Sequence, residues 1–501
     1  MTMLNPVRSR FWWWLIPLLL LAAWLGARSL NTDVVWIDEY HSLQDTGVSF
    51  FGPRGPADIW VKLAERNPWH SPGYFMLLNV WYRLIGGDPA MLRAMSLFLG
   101  LLTIAWTYRL GRDLVGPRAG LYAAVVLGSS AFYAHFLHEM RVYTLFTLLA
   151  VFTTWTYLRI VRRPAAPRWV WLGLFLGCVA LPYAHYYATL PVFALAIYHL
   201  LFVKKDRRWW YVVGIFVLAA VLFVPWMSVF LSVFNRTQEF ERLAPRALSA
   251  TDALVALSYY FSNGAHVLFL ALVALAFTAK TRGARVLLFL TVALLLLLLL
   301  TNEVLQIMHS GRLRYLIAMW PLLSVTVGIG LLRLRMWRPL AAALVLAVWV
   351  FFGLWNTVVS DLTAGLDGSS YTFPLHLASK AVKPYLQPGD VIVNYVRDDD
   401  GPALQYERIA AFYYAQLDLD YLMEQTPKTG LDDWPAQLAE HRAVLAARER
   451  VWLARAPGEA PVTLGEFETA LLETHVRCEA DYGREGLLLS LYVTSPELCA
   501  G

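Results

Sequence analysis

The stretch Pro72–Gly86, "PGYFMLLNVWYRLIG", decides how the whole chain is threaded. It is apolar and rich in aromatic residues, but its 15 residues fall short of the roughly 20 that a helix needs to cross a bilayer. If it crossed, every basic loop after it would change sides. Those loops are consistent with one another when it does not. Arg8/Arg10, Arg109/Arg112/Arg118, Arg159/Arg162/Arg163/Arg168, Lys204/Lys205/Arg207/Arg208, Lys280/Arg282/Arg285 and Arg333/Arg335/Arg338 all lie between longer apolar runs, with only Asp113 and Asp206 as acids among them. The positive-inside rule puts these loops in the cytoplasm. Pro72–Gly86 is therefore expected as an interfacial or re-entrant helix on the outer face.

Composition supports a membrane protein. Of 501 residues 58% are hydrophobic and 16% charged, with 21 Trp, which excludes an ordinary soluble globule. The net charge of +6 comes from the loop clusters, so it reads as an orientation signal and implies no nucleic-acid partner. Phe11–Ala27 follows Arg8 and Arg10, lacks a cleavage signature before Asp33 and is expected to be a retained signal anchor. Apolar runs predict eleven spans near 11–29, 90–110, 119–137, 142–160, 169–185, 187–203, 210–231, 257–278, 286–303, 315–332 and 339–358. The expected fold is an all-α polytopic membrane domain over 1–358, with a first exterior loop at 30–89. A small extracytoplasmic α/β domain over 359–501 follows, with strands near 388–396, 450–455 and 486–494 and helices near 408–416 and 464–475. Cys178 lies in an apolar run, while Cys478 and Cys499 lie in the tail and could pair. The run Asp398–Asp400 reads as a solvated loop rather than a metal site, and no GxGxxG or Walker loop is present.

This topology gathers unusual chemistry on one side. Asp38, Glu39, Glu139 and Glu303 fall at exterior ends of spans together with Arg141, Arg312 and Arg314. Seven of the eight histidines before the tail lie toward that side, all but His199. Histidine, Tyr and Trp are common in interfacial belts, so single rings carry little weight. Acids and arginines together at membrane depth carry more, because such groups face a cavity or one another. Adjacent carboxylates could deprotonate an acceptor or hold a divalent cation, and guanidinium forks suit a phosphate. Two carboxylates side by side diverge and do not bracket a glycosidic bond as in a hydrolase.

Five segments in order resemble the GT-C type polytopic glycosyltransferases: "WIDEYHS" (36–42), "NPWHSPGYFMLLNVWYRLIG" (67–86), residues 88–127, "HEMRVYTLFTLLA" (138–150) and "GRLRYLIAMWPLL" (311–323). The likeness is to the branch dependent on dolichyl- or polyprenyl-phosphate sugars, which includes protein O-mannosyltransferases and lipid A aminoarabinose transferases. It covers roughly residues 10–350. The resemblance implies a multi-pass enzyme of the inner (plasma) membrane that moves a sugar from a polyprenyl-phosphate donor to a lipid, glycan or protein acceptor by one inverting displacement. Under it Asp38 is the catalytic base and Glu39 assists. Arg141 and Arg314 hold the donor phosphate with Tyr143 and Tyr315 in support, and His70 and Tyr74 line the cleft. Glu139 is a loose match to a second acidic position. Metal use varies among these enzymes, so the resemblance assigns no metal ligand and no certain cofactor, and leaves a divalent cation open. The rival reading is a lipid or solute transporter with Asp38/Glu39 as an ion or proton site. It is disfavoured because such acids usually sit near the midplane on a broken helix.

Overall fold

The computed structural model describes residues 10–31, 35–48, 51–163, 165–243, 248–305, 308, 310–360, 362–363, 375–396, 413, 417, 420–425, 434–455, 462–480, 482 and 488–499. The chain forms two compact units. One comprises Met1–Asp33 and Ser42–Asp367, the other Val34–His41 and Gly368–Gly501.

The first unit is helical. Among the described residues, six helices have the length and apolarity to cross a membrane: Pro89–Leu114, Tyr143–Arg162, Arg207–Arg236, Arg282–Leu305, Arg312–Trp337 and Pro339–Val358. The other five of the eleven expected runs are helical but shorter or bent. Phe11–Ala27, Arg168–Ala184 and Tyr186–Phe202 are short apolar helices. The run expected at 119–137 divides into Pro117–Gly128 and Ala131–His135, because the hydroxyl of Ser130 accepts a hydrogen bond from the Tyr133 amide and caps a new helix. The run at 257–278 divides into Ala250–Phe261 and His266–Phe277, bent by 96°. Asn263 (φ 55°) and Gly264 (φ 85°) turn the chain there in the left-handed region that Asn and Gly tolerate best. The Asn263 side chain holds the corner in place, since its Oδ1 accepts from the Ala131 amide at 2.9 Å.

Helices in the bundle approach through small residues, as they must where lipid tails compete equally for apolar side chains. A Cβ on Gly120 would lie 2.5 Å from the Tyr108 carbonyl oxygen, so Pro117–Gly128 can pack on Pro89–Leu114 only with glycine at that position. The same device sets the site-bearing helix. Pro72–Ile85 has 14 residues, about 21 Å at 1.5 Å per residue, against a hydrocarbon core of about 30 Å. Pro72 occupies its first turn, where a missing N–H costs nothing. A Cβ on Gly73 would lie 2.7 Å from the Tyr183 carbonyl oxygen, and the Ser71 hydroxyl donates to the Pro182 carbonyl at 2.8 Å. The start of the short helix is thereby fixed to the end of Arg168–Ala184.

The second unit contains a five-stranded sheet in the order β2-β1-β3-β5-β4, with β1 Val391–Val396, β2 Asp420–Gln425, β3 Arg450–Arg455, β4 Val476–Arg477 and β5 Leu488–Val493. β1 runs parallel to β2 and β3, while β5 runs antiparallel to β3 and β4. One sheet face buries Val391, Val393, Val451, Leu453 and Tyr492 against Leu445, Phe467 and Leu471 of the helices Trp434–Ala446 and Val462–Leu472. The helix expected near 408–416 and the acidic run 398–400 lie outside the described residues, apart from Tyr413. The Tyr413 hydroxyl accepts from the Val35 amide at 2.9 Å and so joins the two chain segments of this unit. Cys478 and Cys499 form a disulfide that closes a loop of sequence separation 21, worth about 3 kcal/mol by loop-closure entropy.

A buried ion pair organises the end of the chain. Arg450 Nε donates to Asp390 Oδ1 at 2.9 Å, and its two terminal nitrogens donate to the carbonyls of Leu498 and Tyr385. Trp452 Nε1 donates to Asp390 Oδ2 at 2.9 Å. Each of the three guanidinium nitrogens thus has an acceptor, and such additional hydrogen bonds are what lets a buried pair be tolerated. Asp390→Ala would leave the buried guanidinium without its counter-charge. The expected loss is about 3–5 kcal/mol from this unit, read by thermal unfolding and by faster proteolysis after residue 380 in the full-length protein; an unchanged melting profile would contradict it.

Candidate active site

The polar centre of the first unit grows from three short segments. Helix Ile37–Thr46 carries Asp38 and Glu39 in its first turn and Ser42 and Asp45 further on. Ser42 and Asp45 stand at i and i+3, which places them on one helix face. Helix Pro56–Arg66 supplies Lys62, and the turn before Pro72–Ile85 supplies Asn67 and His70.

Asp45 is the hub. Its side chain is 2% exposed; Oδ1 pairs with Lys62 Nζ at 3.2 Å, and Oδ2 accepts from Asn67 Nδ2 at 2.7 Å and faces His70 Nδ1 at 3.4 Å. Burial by itself would raise its carboxyl pKa, but its interactions with His70 and, after them, those with Lys62 outweigh it and hold Asp45 below the ordinary carboxylate value. Lys62 is lowered by its own burial, which the attraction of Asp45 offsets only in part.

From this hub the network reaches Arg141, in the turn between Ala131–His135 and Tyr143–Arg162. Arg141 is buried. Its Nη1 donates to Ser42 Oγ at 3.1 Å and its Nη2 lies 3.2 Å from His70 Nε2. Beside it opens a cavity with about 400 Å³ of empty space, part of it open to solvent. His70, Tyr74, Arg141, Tyr143, His185 and Tyr315 line it, together with Trp69, Phe75 and Tyr186. The aromatic wall is built to hold its shape. His185 stacks on Phe146 with ring centroids 5.4 Å apart, Tyr315 lies 4.8 Å from His185 and 5.3 Å from Tyr187, and the Tyr186 hydroxyl donates to the Pro68 carbonyl at 2.7 Å. Trp226 Nε1 in turn donates to the Tyr186 oxygen at 3.0 Å. The Arg314 guanidinium lies 5.8 Å from the Tyr143 ring centre, in cation–π range.

Five residues singled out from the sequence, His70, Tyr74, Arg141, Tyr143 and Tyr315, therefore share one cavity, and Arg314 adjoins one of its walls. Glu139 is not among the lining residues; it is buried and paired with His135 Nε2 at 2.8 Å. Asp38 and Glu39 lie within the segment Val34–His41, which groups with the second compact unit. Among the described residues, no group of three or more His, Cys, Asp or Glu is disposed to hold a metal ion. Sequence reasoning missed Ser42, Asp45, Lys62 and Asn67. The i, i+3 spacing of Ser42 and Asp45 was the available signal.

The chain is similar to ArnT from Cupriavidus metallidurans in the apo state, with a TM-score of 0.57 and 15% sequence identity, covering 98% of this chain and 100% of that one. The two chains share a fold. The same protein bound to undecaprenyl phosphate matches with a TM-score of 0.56 and 14% identity, over 97% of this chain and 99% of that one. Residues 69–233, which include His70, Arg141 and His185, match the family described as dolichyl-phosphate-mannose-protein mannosyltransferase. No curated protein sequence matches the chain.

Proposed function

We propose that this protein transfers a sugar from a polyprenyl-phosphate-linked donor to an acceptor on the extracytoplasmic face of the inner membrane. The observation that carries the reading is the cavity in which Arg141 meets Tyr143, Tyr315 and His70 within a GT-C fold. A fixed guanidinium beside aromatic walls suits a phosphate attached to an isoprenoid and a sugar. A match to an undecaprenyl phosphate complex of the same fold supports this ligand class.

In the proposed reaction Asp38 takes the proton of the acceptor hydroxyl or amine as its oxygen or nitrogen attacks the anomeric carbon. The bond from that carbon to the phosphate oxygen breaks on the opposite side, which inverts the centre. The polyprenyl phosphate leaves as an anion. Such a leaving group needs charge stabilisation more than a proton, which is the role given to Arg141 and Arg314. Tyr143 and Tyr315 support the phosphate, His70 and Tyr74 line the cleft, Glu39 positions the acceptor, and Glu139 holds the second acidic position.

The tail is assigned to the exterior, so that eleven spans separate it from a cytoplasmic N-terminus. Its disulfide supports an oxidising compartment. The decisive experiment incubates the purified protein with a panel of radiolabelled polyprenyl-phosphate sugars and membrane extract, with and without EDTA. Transfer from at least one donor is expected, and the EDTA arm decides whether a divalent cation takes part. No transfer from any donor, together with no binding of undecaprenyl phosphate, would reject the reading.

A further inference from the structure

The partner atoms of His70 constrain its proton. A guanidinium has only N–H donors, so His70 Nε2, 3.2 Å from Arg141 Nη2, faces it as an acceptor. A neutral ring accepting at Nε2 carries its hydrogen on Nδ1, and Nδ1 points at Asp45 Oδ2, 3.4 Å away. Asn67 Nδ2 also lies 3.0 Å from Nδ1; one of its two hydrogens goes to Asp45 Oδ2 at 2.7 Å, and we assign the Nδ1–H to the carboxylate, the acceptor beside it. An imidazolium would instead turn an N–H toward the cation of Arg141. Lys62 completes the arrangement by neutralising the other oxygen of Asp45 at 3.2 Å.

We propose that Asp45 is a positioning residue, which orients the Nδ1–H of His70 so that Nε2 accepts from Arg141 and fixes the guanidinium at the edge of the cavity. The proposal rests on the reading of that cavity as the donor-phosphate site. The Asp–His pair also has the look of a general base. It is not used as one here, because the lone pair a base would need is the one that faces Arg141. Ser42 holds Nη1 and His70 holds Nη2, so the guanidinium plane is set from two sides before any ligand arrives. Preorganisation of this kind spares the ordering of a long side chain at the moment of binding.

The test uses full-length protein in nanodiscs labelled with ¹⁵N-histidine, the His70 signals being identified by their loss in His70→Gln. Wild-type His70 is expected to be neutral with its proton on Nδ1; an imidazolium or an Nε2–H ring overturns the proposal without need of any further variant. In Asp45→Leu/Lys62→Leu, where no ammonium is left buried alone, His70 should leave the Nδ1–H state. Binding of undecaprenyl phosphate should then weaken about ten- to a hundredfold, the range that small misplacements of a binding group cost. Asp45→Asn keeps an acceptor for Nδ1–H and should retain both the tautomer and most of the affinity. An unchanged His70 signal in the double Leu variant, or an Asn variant as weak as that one, rejects the role. A wild type that binds no polyprenyl phosphate rejects the proposed donor site instead, while the His70 signals still decide the Asp45 arrangement.

Discussion

Arg141→Ala is expected to lower sugar transfer by about a hundred- to a thousandfold, the range seen when one fixed group that stabilises developing charge is removed. The side chain is buried, its two terminal nitrogens are committed to Ser42 and His70, and it is the arginine among the cavity's lining residues. Charge on the departing phosphate builds beyond the ground-state value as its bond to the sugar breaks. A cation held in place therefore stabilises the transition state more than the bound donor. Loss of kcat should accordingly exceed the rise in KM. Arg141→Lys should recover little, since an ammonium cannot reproduce two directed bonds to Ser42 and His70 at once. Steady-state kinetics with a short-chain polyprenyl donor, alongside thermal unfolding, checks both statements. If Arg141→Ala turns over at the wild-type rate, the phosphate lies elsewhere.

Asp38→Asn is expected to cut transfer by about a hundred- to ten-thousandfold, the span of general base catalysis, with donor binding intact. The amide keeps the shape of the carboxylate in the first turn of Ile37–Thr46. What it loses is the capacity to take a proton. The two variants therefore part company in one measurement: Arg141→Ala should fail in binding undecaprenyl phosphate and in turnover, Asp38→Asn in turnover alone. Wild-type transfer by Asp38→Asn would remove that carboxylate from the role of base.

Much of this architecture could be read from residue order alone, and the reason is physical. A bilayer imposes a length on apolar runs and a sign on the loops between them, and the short apolar run at Pro72–Gly86 folds as the short helix Pro72–Ile85. The cavity arginine and the aromatic residues near it were also legible, because a charge or a ring at a span's end is conspicuous against an apolar background. What escaped was the carboxylate hub. Asp45 follows Gln44 in a helix whose composition suits a solvated loop, and its burial depends on Lys62 and Asn67, which reach it from other turns of the chain. Pairwise satisfaction of that sort leaves no periodic trace. The corner at Asn263–Gly264 escaped for a related reason: the apolar residues on both sides form a run of spanning length, and two turn-forming positions outweigh it. Strand Asp420–Gln425 has polar ends and no clean alternation, and its pairing comes from lying beside β1.

The guanidinium of Arg450 takes the Leu498 carbonyl as one of its acceptors, and the residue after Leu498 is half of the disulfide. The last turn of the described chain, Pro496–Cys499, is thus a clasp for the sheet rather than a trailing end. For anyone producing the protein, a fusion after Gly501 leaves that clasp whole. Trimming even four residues from the terminus removes Leu498 and Cys499 together, uncaps the arginine and opens the bridge in a single cut.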